Sequence, residues 1–237
     1  AQGHIPGAVF FDIDAIADHA SDLPHMLPSP ADFAAAAGAL GLRREATVVV
    51  YDAQGLFSAP RVWWTLRVMG FPRVFVLDGG LKAWRAEGRP VETAPSALPA
   101  TRLEPAFEPA LVRDLEAVRA ALESGVAVVD ARAAARFRGE APEPRAGLRS
   151  GHMPGARNVP WSQLVQPDGT LAGPDAIRAA FAGMDLGAPI VTTCGSGVSA
   201  ALLAPALARL GRFDVAVYDG SWTEWAGRDD TEVVTGA

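Results

Sequence analysis

The sequence predicts an α/β fold built from two tandem domains, each a parallel sheet flanked by helices. Short runs of β-branched residues alternate with helical patterns along the 237 residues, which is typical of parallel strands joined by crossover helices. The same motifs also occur twice in the same order, which indicates an internal duplication. Hydrophobic residues make up 49% of the chain, enough to form a core in each domain.

The repeated motifs occur once in each half, at a nearly constant separation of 141 to 148 residues. A separation this regular is typical of a duplicated domain of alternating strands and helices. In chain order, the pairs are His-x-Pro-Gly-Ala at 4–8 and 152–156, the strand ends at Asp52 and Cys194, and Asp-Gly followed by tryptophan at 78–84 and 219–225.

The repeat divides the chain into an N-terminal domain, residues 1–91, and a C-terminal domain, residues 110–237. The segment between them, 92–109, contains four prolines, and this composition predicts an extended linker. In the second domain, a helical pattern over 111–122 and a short strand pattern over 126–130 come before the His-x-Pro-Gly motif. The second copy therefore begins with a helix and a buried strand.

The two copies differ in the length of chain ahead of that motif. About 40 residues of the second domain precede it, but only three residues precede it in the first. A domain without the matching core strand would bury little surface on folding. We therefore expect the native protein to extend by roughly 40 or more residues before Ala1, adding a helix, a core strand and a polar arm.

Composition argues against several classes of function. The formal net charge of −6 and the lack of a basic run argue against a nucleic-acid partner. No run of 18 or more apolar residues is present, so no membrane span is predicted. The single cysteine can form neither an internal disulfide nor a zinc site of thiolates, and we expect no metal and no cofactor. We expect a cytoplasmic protein.

The only cysteine, Cys194, lies between a strand pattern at 190–193 and a helical pattern at 200–210. Backbone N–H groups converge in a tight loop of this kind, and the helix dipole directs its positive end there, so the position favours a thiolate. The alternative is a buried structural cysteine. The Gly195-Ser196-Gly197 context favours a nucleophile, because a cysteine that only packs needs no tight loop around it.

With these motifs, the sequence resembles the tandem-domain rhodanese sulfurtransferases over nearly its whole length. The loop Cys-Gly-Ser-Gly-Val-Ser at 194–199 is similar to the Cys-Gly-Ser-Gly-Val-Thr loop of members that use 3-mercaptopyruvate. Members that use thiosulfate place Arg-Lys after the cysteine instead. Asp52 stands where the second copy has Cys194, as in the family's non-catalytic first domain.

The resemblance implies an activity and a role for each loop position. Sulfur would move from 3-mercaptopyruvate through a persulfide on Cys194 to thioredoxin, a low-molecular-weight thiol or cyanide, and pyruvate would be released. An anionic persulfide needs N–H donors around it. The backbone groups available for that purpose belong to Gly195, Gly197, Val198 and Ser199. Ser199 replaces the family's threonine and keeps its hydroxyl.

Two arginines lie at the ends of a polar arm, Arg136 and Arg145. They match the arginines with which the family grips the carboxylate and keto group of the donor. A guanidinium fork suits a carboxylate because it can donate two parallel hydrogen bonds. The alternative for each is a surface arginine in solvent. Arg132 and Arg138 do not fall on the family's gripping positions.

The family also has a proton-handling serine, histidine and aspartate that span both domains, and Ser196, His25 and Asp14 match them. Such a relay can supply the proton that the departing pyruvate enolate needs. Apart from the resemblance, a lone loop histidine such as His25 is more often structural. The other histidines are expected to be structural at the turns of the repeat, His4 and His152, or solvated on a helix, His19.

Three other functions fit the sequence less well. The nearest is thiosulfate:cyanide sulfurtransferase activity on the same scaffold, for which the neutral Gly195-Ser196 pair offers no side-chain cation. A cysteine phosphatase of similar fold needs an arginine six positions after its cysteine, and Ala200 stands there. A non-catalytic rhodanese-like interaction module usually lacks the cysteine, which this chain keeps.

Overall fold

A computed structural model describes residues 3–236 and contains one parallel sheet in each half of the chain. Residues 1, 2 and 237, at the outer limits of the two predicted domains, lie outside the described residues. In the first half, the elements are α1 (Pro30–Ala39), β1 (Val48–Val50), α2 (Ala59–Val68), β2 (Val74–Val76) and α3 (Gly80–Ala86). The two strands pair in parallel, with Val48 opposite Val74.

The second half forms a five-stranded sheet in which every pairing is parallel. Its strands are β3 (Val112–Arg113), β4 (Ala127–Asp130), β5 (Arg157–Asn158), β6 (Ile190–Thr193) and β7 (Ala216–Tyr218), in the spatial order β3-β7-β6-β4-β5. Its helices are α4 (Leu115–Glu123), α5 (Ala134–Phe137), α6 (Pro174–Ala180), α7 (Ala200–Ala208) and α8 (Ser221–Gly227). The predicted α/β fold with two parallel sheets flanked by helices is confirmed.

The central strand β6 determines where the cysteine loop lies. All four residues of this strand are buried, as expected for a strand with neighbours on both sides and helices on both faces. After β4 the chain crosses to β5 on one side, whereas after β6 it crosses to β7 on the other. The carboxyl ends of β4 and β6 therefore border a crevice at a topological switch point, where open α/β sheets bind ligands. Cys194 follows β6 at this crevice.

The start of the second half differs from the sequence prediction. The helix expected over 111–122 begins only at Leu115, because residues 109–111 form a 3₁₀ turn and Val112 pairs with Val217 in the edge strand β3. The Asp114 carboxylate accepts a hydrogen bond from the Ala117 N–H at 2.9 Å and caps α4. The β-branched Val112 and this capping aspartate explain why the helix starts late.

The two halves share one hydrophobic core. Helices α2 and α7, which are equivalent in the repeat, pack against each other between the two sheets and are buried on nearly every side. Their apolar side chains, including Trp64 and Leu203, belong to the same buried cluster. Each such side chain contributes roughly 1.5–3 kcal/mol when it leaves water. The interface is therefore part of the core rather than a surface contact.

The outer faces of the two sheets differ. In the second sheet, Val191 and Tyr218 are covered by side chains of α4 and α8, such as Val118 and Trp222. In the first sheet, Val49 occupies the position equivalent to Val191 and is 55% exposed. The first sheet is thus covered on the face that meets α2, and its other face is open.

The proline-rich segment is extended and lies along the first half. The N–H of Thr101 donates to the Gly38 carbonyl at 2.8 Å, and the N–H of Glu108 donates to the Val68 carbonyl at 2.7 Å. Arg44 Nη2 donates to the Glu104 carbonyl at 2.6 Å. We propose that the chain divides into an N-terminal domain at 1–91, this linker at 92–109 and a C-terminal domain at 110–237.

Within the described part of the chain, no helix is long and apolar enough to cross a membrane.

A glycine-to-alanine change in α1 tests this packing. A Cβ at Gly38 would lie 2.5 Å from the Thr101 carbonyl oxygen. We therefore expect Gly38→Ala to lower the free energy of unfolding by roughly 1–3 kcal/mol through overpacking. An unhindered helix would instead gain about 1 kcal/mol from the same change. Urea denaturation measures the difference.

Gly227→Ala is the matched control, because a Cβ at this helical position meets its nearest atom, Leu148 Cδ2, at an ordinary 3.7 Å. Stabilisation by Gly38→Ala would contradict the packing described for the extended segment.

Candidate active site

The loop after β6 is anchored through its carbonyl groups to the start of α8. The Trp222 N–H donates to the Cys194 carbonyl at 2.9 Å, and Thr223 donates to the Gly195 carbonyl from its N–H at 3.0 Å and its hydroxyl at 2.6 Å. The Cys194 N–H donates to Ser221 Oγ at 3.3 Å. These bonds fix the first two peptide groups of the loop.

The N–H groups of the loop are available as donors. Among residues 3–236, none of the N–H groups of Gly195 to Ser199 donates to a protein acceptor. Cys194 is 1% exposed and Ser196 is 9% exposed, so the thiol lies inside the crevice rather than on the surface. Unpaired N–H groups around a shielded thiol can bind an anion formed on that thiol.

The repeat shows how the equivalent loop of the first half holds an anion. The carboxylate of Asp52, which stands in the position of Cys194, lies in a ring of backbone donors. The five N–H groups that donate to it at 2.7–2.9 Å belong to Gln54, Gly55, Phe57, Ser58 and Ala59. A loop of this kind, between a parallel strand and a helix, therefore provides about as many N–H donors as one anion can accept.

Asp14 and His25 lie together in the segment of the first half that approaches this loop. His25 Nδ1 is 2.6 Å from Asp14 Oδ1, a close contact in which the ring nitrogen is not aligned for a hydrogen bond. His25 has a left-handed backbone with φ 61°, which is uncommon for residues other than glycine. Within the described residues, the Ser196 hydroxyl makes no hydrogen bond to either side chain.

Arg61 of α2 ties His25 to the loop. Its Nη1 donates to the Gly197 carbonyl at 3.3 Å, and its Nη2 donates to the His25 carbonyl. The structure thus brings Asp14 and His25 together and holds the His25 backbone against the residue that follows Ser196. Sequence reasoning missed Arg61, because an arginine in an amphipathic helix ordinarily lies at the surface and nothing local indicates that this one is buried.

Arg136 and Arg145 have different surroundings. Arg136, at the end of α5, forms a pair with the Glu143 carboxylate, to which its Nε donates at 3.2 Å. Its Nη2 would lie 3.3 Å from a Cβ on Gly195, so the guanidinium sits directly beside the loop. Arg145 is exposed and forms no ion pair or hydrogen bond with any residue that the structure describes.

Glu143 is a second residue that the sequence did not single out. Its side chain is only 2% exposed and accepts from Arg132 Nη1 at 2.8 Å as well as from Arg136. Arg132 is itself buried, pairs with Asp130 at 2.6 Å and lies over the Trp222 ring. The position of Arg136 therefore depends on a buried chain of charges that begins at the end of β4.

The remaining histidines are held in place by backbone groups. His152 is buried, stacks on Phe137 and has Nδ1 2.8 Å from the Phe137 carbonyl. His4 forms a backbone bridge with Glu92. The prediction that His19 lies on a helix is wrong: it is an exposed turn residue, because this part of the first half forms consecutive turns. No three His, Cys, Asp or Glu side chains within residues 3–236 form a group that could hold a metal ion.

Tyr218, at the end of β7, stays protonated. Burial raises its pKa well above the ordinary value, and the neighbouring Glu224 carboxylate raises it further. The hydroxyl donates to Glu224 Oε2 at 2.8 Å. This phenol is therefore a fixed hydrogen-bond donor and does not exchange protons near neutral pH.

We expect Glu143→Ala to lower the free energy of unfolding by roughly 3–5 kcal/mol, since it leaves Arg132 buried without one of its partners. Glu140→Ala, on the same arm, is the control. Glu140 pairs with Arg138 at the surface, where solvent screens the charges, so little change is expected. Urea denaturation of both variants measures the effects, and equal losses would contradict the buried network.

Comparisons with known proteins identify the family to which the chain belongs. A model of the rhodanese-like domain matches residues 1–87 and 114–228. The 3-mercaptopyruvate sulfurtransferase of Escherichia coli (strain K12) is 47% identical over 235 residues, which cover 98% of this chain and 83% of that protein. The thiosulfate sulfurtransferase of Bos taurus is 43% identical, with 98% of this chain and 80% of that protein covered.

A similar solved structure is that of SseA from Escherichia coli, described as a 3-mercaptopyruvate sulfotransferase with the rhodanese fold. It superimposes with a TM-score of 0.84 at 46% identity, over 93% of this chain and 83% of that chain. The matches span both halves, including the anchored cysteine loop. The chain therefore belongs to the rhodanese family and contains two rhodanese-like domains in tandem.

Proposed function

We propose that this protein is a sulfurtransferase that takes sulfur from 3-mercaptopyruvate, carries it as a persulfide on Cys194 and passes it to a thiol or cyanide, with release of pyruvate. The observation that carries this proposal is the pair of equivalent loops. In the first half, five N–H groups hold the carboxylate of Asp52. In the second half, the N–H groups of Gly195 to Ser199 remain free within the described residues, beside a thiol.

The first step is attack by the Cys194 thiolate on the sulfur of the donor. A sulfur–sulfur bond forms, the carbon–sulfur bond of the donor breaks, and its electron pair stays on carbon as the enolate of pyruvate. The persulfide that remains on the enzyme becomes anionic when its outer sulfur loses the proton of the donor thiol to solvent. The free N–H groups of the loop stabilise this charge in a crevice from which water is largely excluded.

The enolate then needs a proton on carbon to become pyruvate. Ser196 lies in the loop, and the pair His25 and Asp14 lies across the interface, tied to the loop through Arg61. Asp14 is 72% exposed, so this pair can exchange protons with solvent while His25 faces the interior. We propose that Ser196, His25 and Asp14 deliver the proton.

Arg136 and Arg145 bind the carboxylate and keto oxygen of the donor in this proposal. Arg136 is held beside Gly195 by Glu143 and supplies a fixed donor. Arg145 has no partner among the described residues and can turn toward the substrate. Two guanidinium groups on one small α-keto acid orient its sulfur toward the thiolate.

The reactivity of the persulfide indicates which classes of acceptor can take its sulfur. A persulfide transfers its outer sulfur to a thiolate or to cyanide, so thioredoxin, a low-molecular-weight thiol and cyanide are all suitable acceptors. The single catalytic cysteine must stay reduced to act, and we therefore place the enzyme in a reducing compartment such as the cytoplasm.

Thiosulfate is the alternative donor, and the bovine relative that carries its name is 43% identical to this chain over the aligned residues. Thiosulfate is a dianion without a carboxylate. The loop places Gly195 and Ser196 directly after the cysteine and so offers no side-chain cation there. The arginine beside Gly195 comes instead from α5 and suits a carboxylate, which favours 3-mercaptopyruvate.

We expect Cys194→Ser to abolish sulfur transfer from either donor, because a hydroxyl cannot form a persulfide. Mass spectrometry of the wild-type protein after incubation with 3-mercaptopyruvate should show about 32 Da added to the peptide that contains Cys194. An active enzyme without this added mass would rule out the persulfide.

Loss of Arg145 should affect one donor more than the other. A charge-assisted hydrogen bond to a carboxylate is worth roughly 1.5–3 kcal/mol, so Arg145→Ala should lower kcat/KM for 3-mercaptopyruvate about 10- to 150-fold. The effect on thiosulfate should be smaller. Arg138→Ala is the control and should leave both rates nearly unchanged, because this arginine of the same arm pairs with Glu140 at the surface. Equal losses with both donors would argue against the substrate assignment.

A further inference from the structure

We propose that Arg61 and Asp219 form a clamp between the two halves that positions His25 on the persulfide loop, and that this clamp sets the rate of enolate protonation. The inference rests on the proposed function, and it adds two positioning residues from opposite halves of the chain. Neither side chain reaches the reacting atoms in this account. Each acts by fixing the relative position of groups that do.

One side chain contacts both sides of the site. Arg61 is buried, donates to the His25 carbonyl and to the Gly197 carbonyl, and lies over the Trp64 ring at 4.5 Å. A guanidinium is planar and rigid, so it keeps two bound carbonyl groups at a constant separation. Any shift of the His25 backbone relative to Gly197 must break one of these bonds.

Asp219 completes the clamp from the second half. Its Oδ1 is 2.7 Å from Arg61 Nη1, and its Oδ2 accepts from the Leu27 N–H at 2.7 Å, two residues after His25. Both charged side chains are almost fully buried. Removal of one partner of such a buried pair is costly, because the other charge is left without water to solvate it. Asp219 also lies two residues before Ser221, whose hydroxyl oxygen accepts a hydrogen bond from the Cys194 N–H.

The loop packs directly on this pair. Gly197 has φ 75°, and a Cβ there would lie 2.7 Å from Arg61 Nη1 and 3.0 Å from the Asp219 carbonyl oxygen. Only glycine combines this backbone conformation with so close an approach. The clamp and the loop are therefore in contact without any intervening side chain.

The repeat provides an internal comparison. Asp78, the equivalent of Asp219, also reaches across the interface and accepts from the Leu171 N–H at 2.6 Å. Its arginine partner is Arg209, at 3.4 Å, and both of these side chains are about half exposed. The two aspartates thus dock the halves in the same way, but only Asp219 lies at the cysteine loop.

The two sulfur donors differ in whether their leaving group needs a proton. Release of pyruvate from 3-mercaptopyruvate requires a proton on the carbon of the enolate, whereas sulfite released from thiosulfate is a stable anion that needs none. A displaced His25 should therefore slow the first reaction and spare the second. A general loosening of the fold would slow both.

The test measures single-turnover release of pyruvate from 3-mercaptopyruvate and of sulfite from thiosulfate, each at saturation. The variants are Asp219→Asn and Arg61→Lys, with Asp78→Asn as the docking control. We expect the rate with 3-mercaptopyruvate to fall about 10- to 100-fold in the first two, as displacement of a catalytic group by about 1 Å produces. The rate with thiosulfate should change less than about threefold, and Asp78→Asn should change neither rate by more than that.

A second pair of variants covers the case in which a buried charge substitution unfolds the protein. Asp219→Glu keeps the charge but lengthens the side chain that binds Arg61 and the Leu27 N–H, and Asp78→Glu makes the same change in the equivalent, more exposed pair. We expect only Asp219→Glu to show the donor-dependent loss. Equal loss with both donors, or no loss, in correctly folded variants overturns the clamp. Failure of the wild-type protein to form a persulfide from either donor overturns the proposed function instead.

Discussion

Backbone N–H groups at the carboxyl end of a parallel strand stabilise a negative charge, and this chain contains that arrangement twice. In the first half, the donors are already satisfied, because the Asp52 carboxylate occupies the loop and accepts hydrogen bonds from five of them. In the second half, the equivalent residue is Cys194, which is charged only as a thiolate or a persulfide. Duplication has thus produced one loop that is satisfied by its own side chain and one whose donors stabilise a reaction intermediate.

The first half contributes to the site although its own loop is closed. Helix α2 packs on α7 in a shared core, and the same helix carries Arg61 to the cysteine loop. The segment that contains Asp14 and His25 also comes from the first half. A core of this kind does not slide freely, since each buried contact is lost if the helices move. The rigid interface explains how residues far apart in sequence can act on one substrate.

The sequence was sufficient for the features that depend on local pattern. The strands before Asp52 and Cys194, the helices that follow them and the repeat itself all come from short motifs, and the fold follows from their order. The late start of α4 was missed because Val112 pairs with a strand more than a hundred residues away. Strand pairing over so long a separation cannot be predicted from the local pattern of apolar residues.

The supporting charges could not be predicted for a related reason. Glu143 lies in a polar, proline-containing arm and resembles a solvated acid, yet it is buried between two arginines. From its sequence context, Arg61 is expected at the surface of an amphipathic helix, whereas in the structure it is buried beside Asp219. Asp219 did carry a signal, since it repeats Asp78, but the motif alone does not say what the carboxylate binds.

The most direct test of this account is a high-resolution crystal structure of the protein after reaction with 3-mercaptopyruvate. We expect one additional sulfur on Cys194, within hydrogen-bonding distance of several N–H groups of Gly195 to Ser199, in the same arrangement that surrounds the Asp52 carboxylate. A persulfide directed away from these N–H groups, with the loop donors bound to water instead, would contradict the central claim.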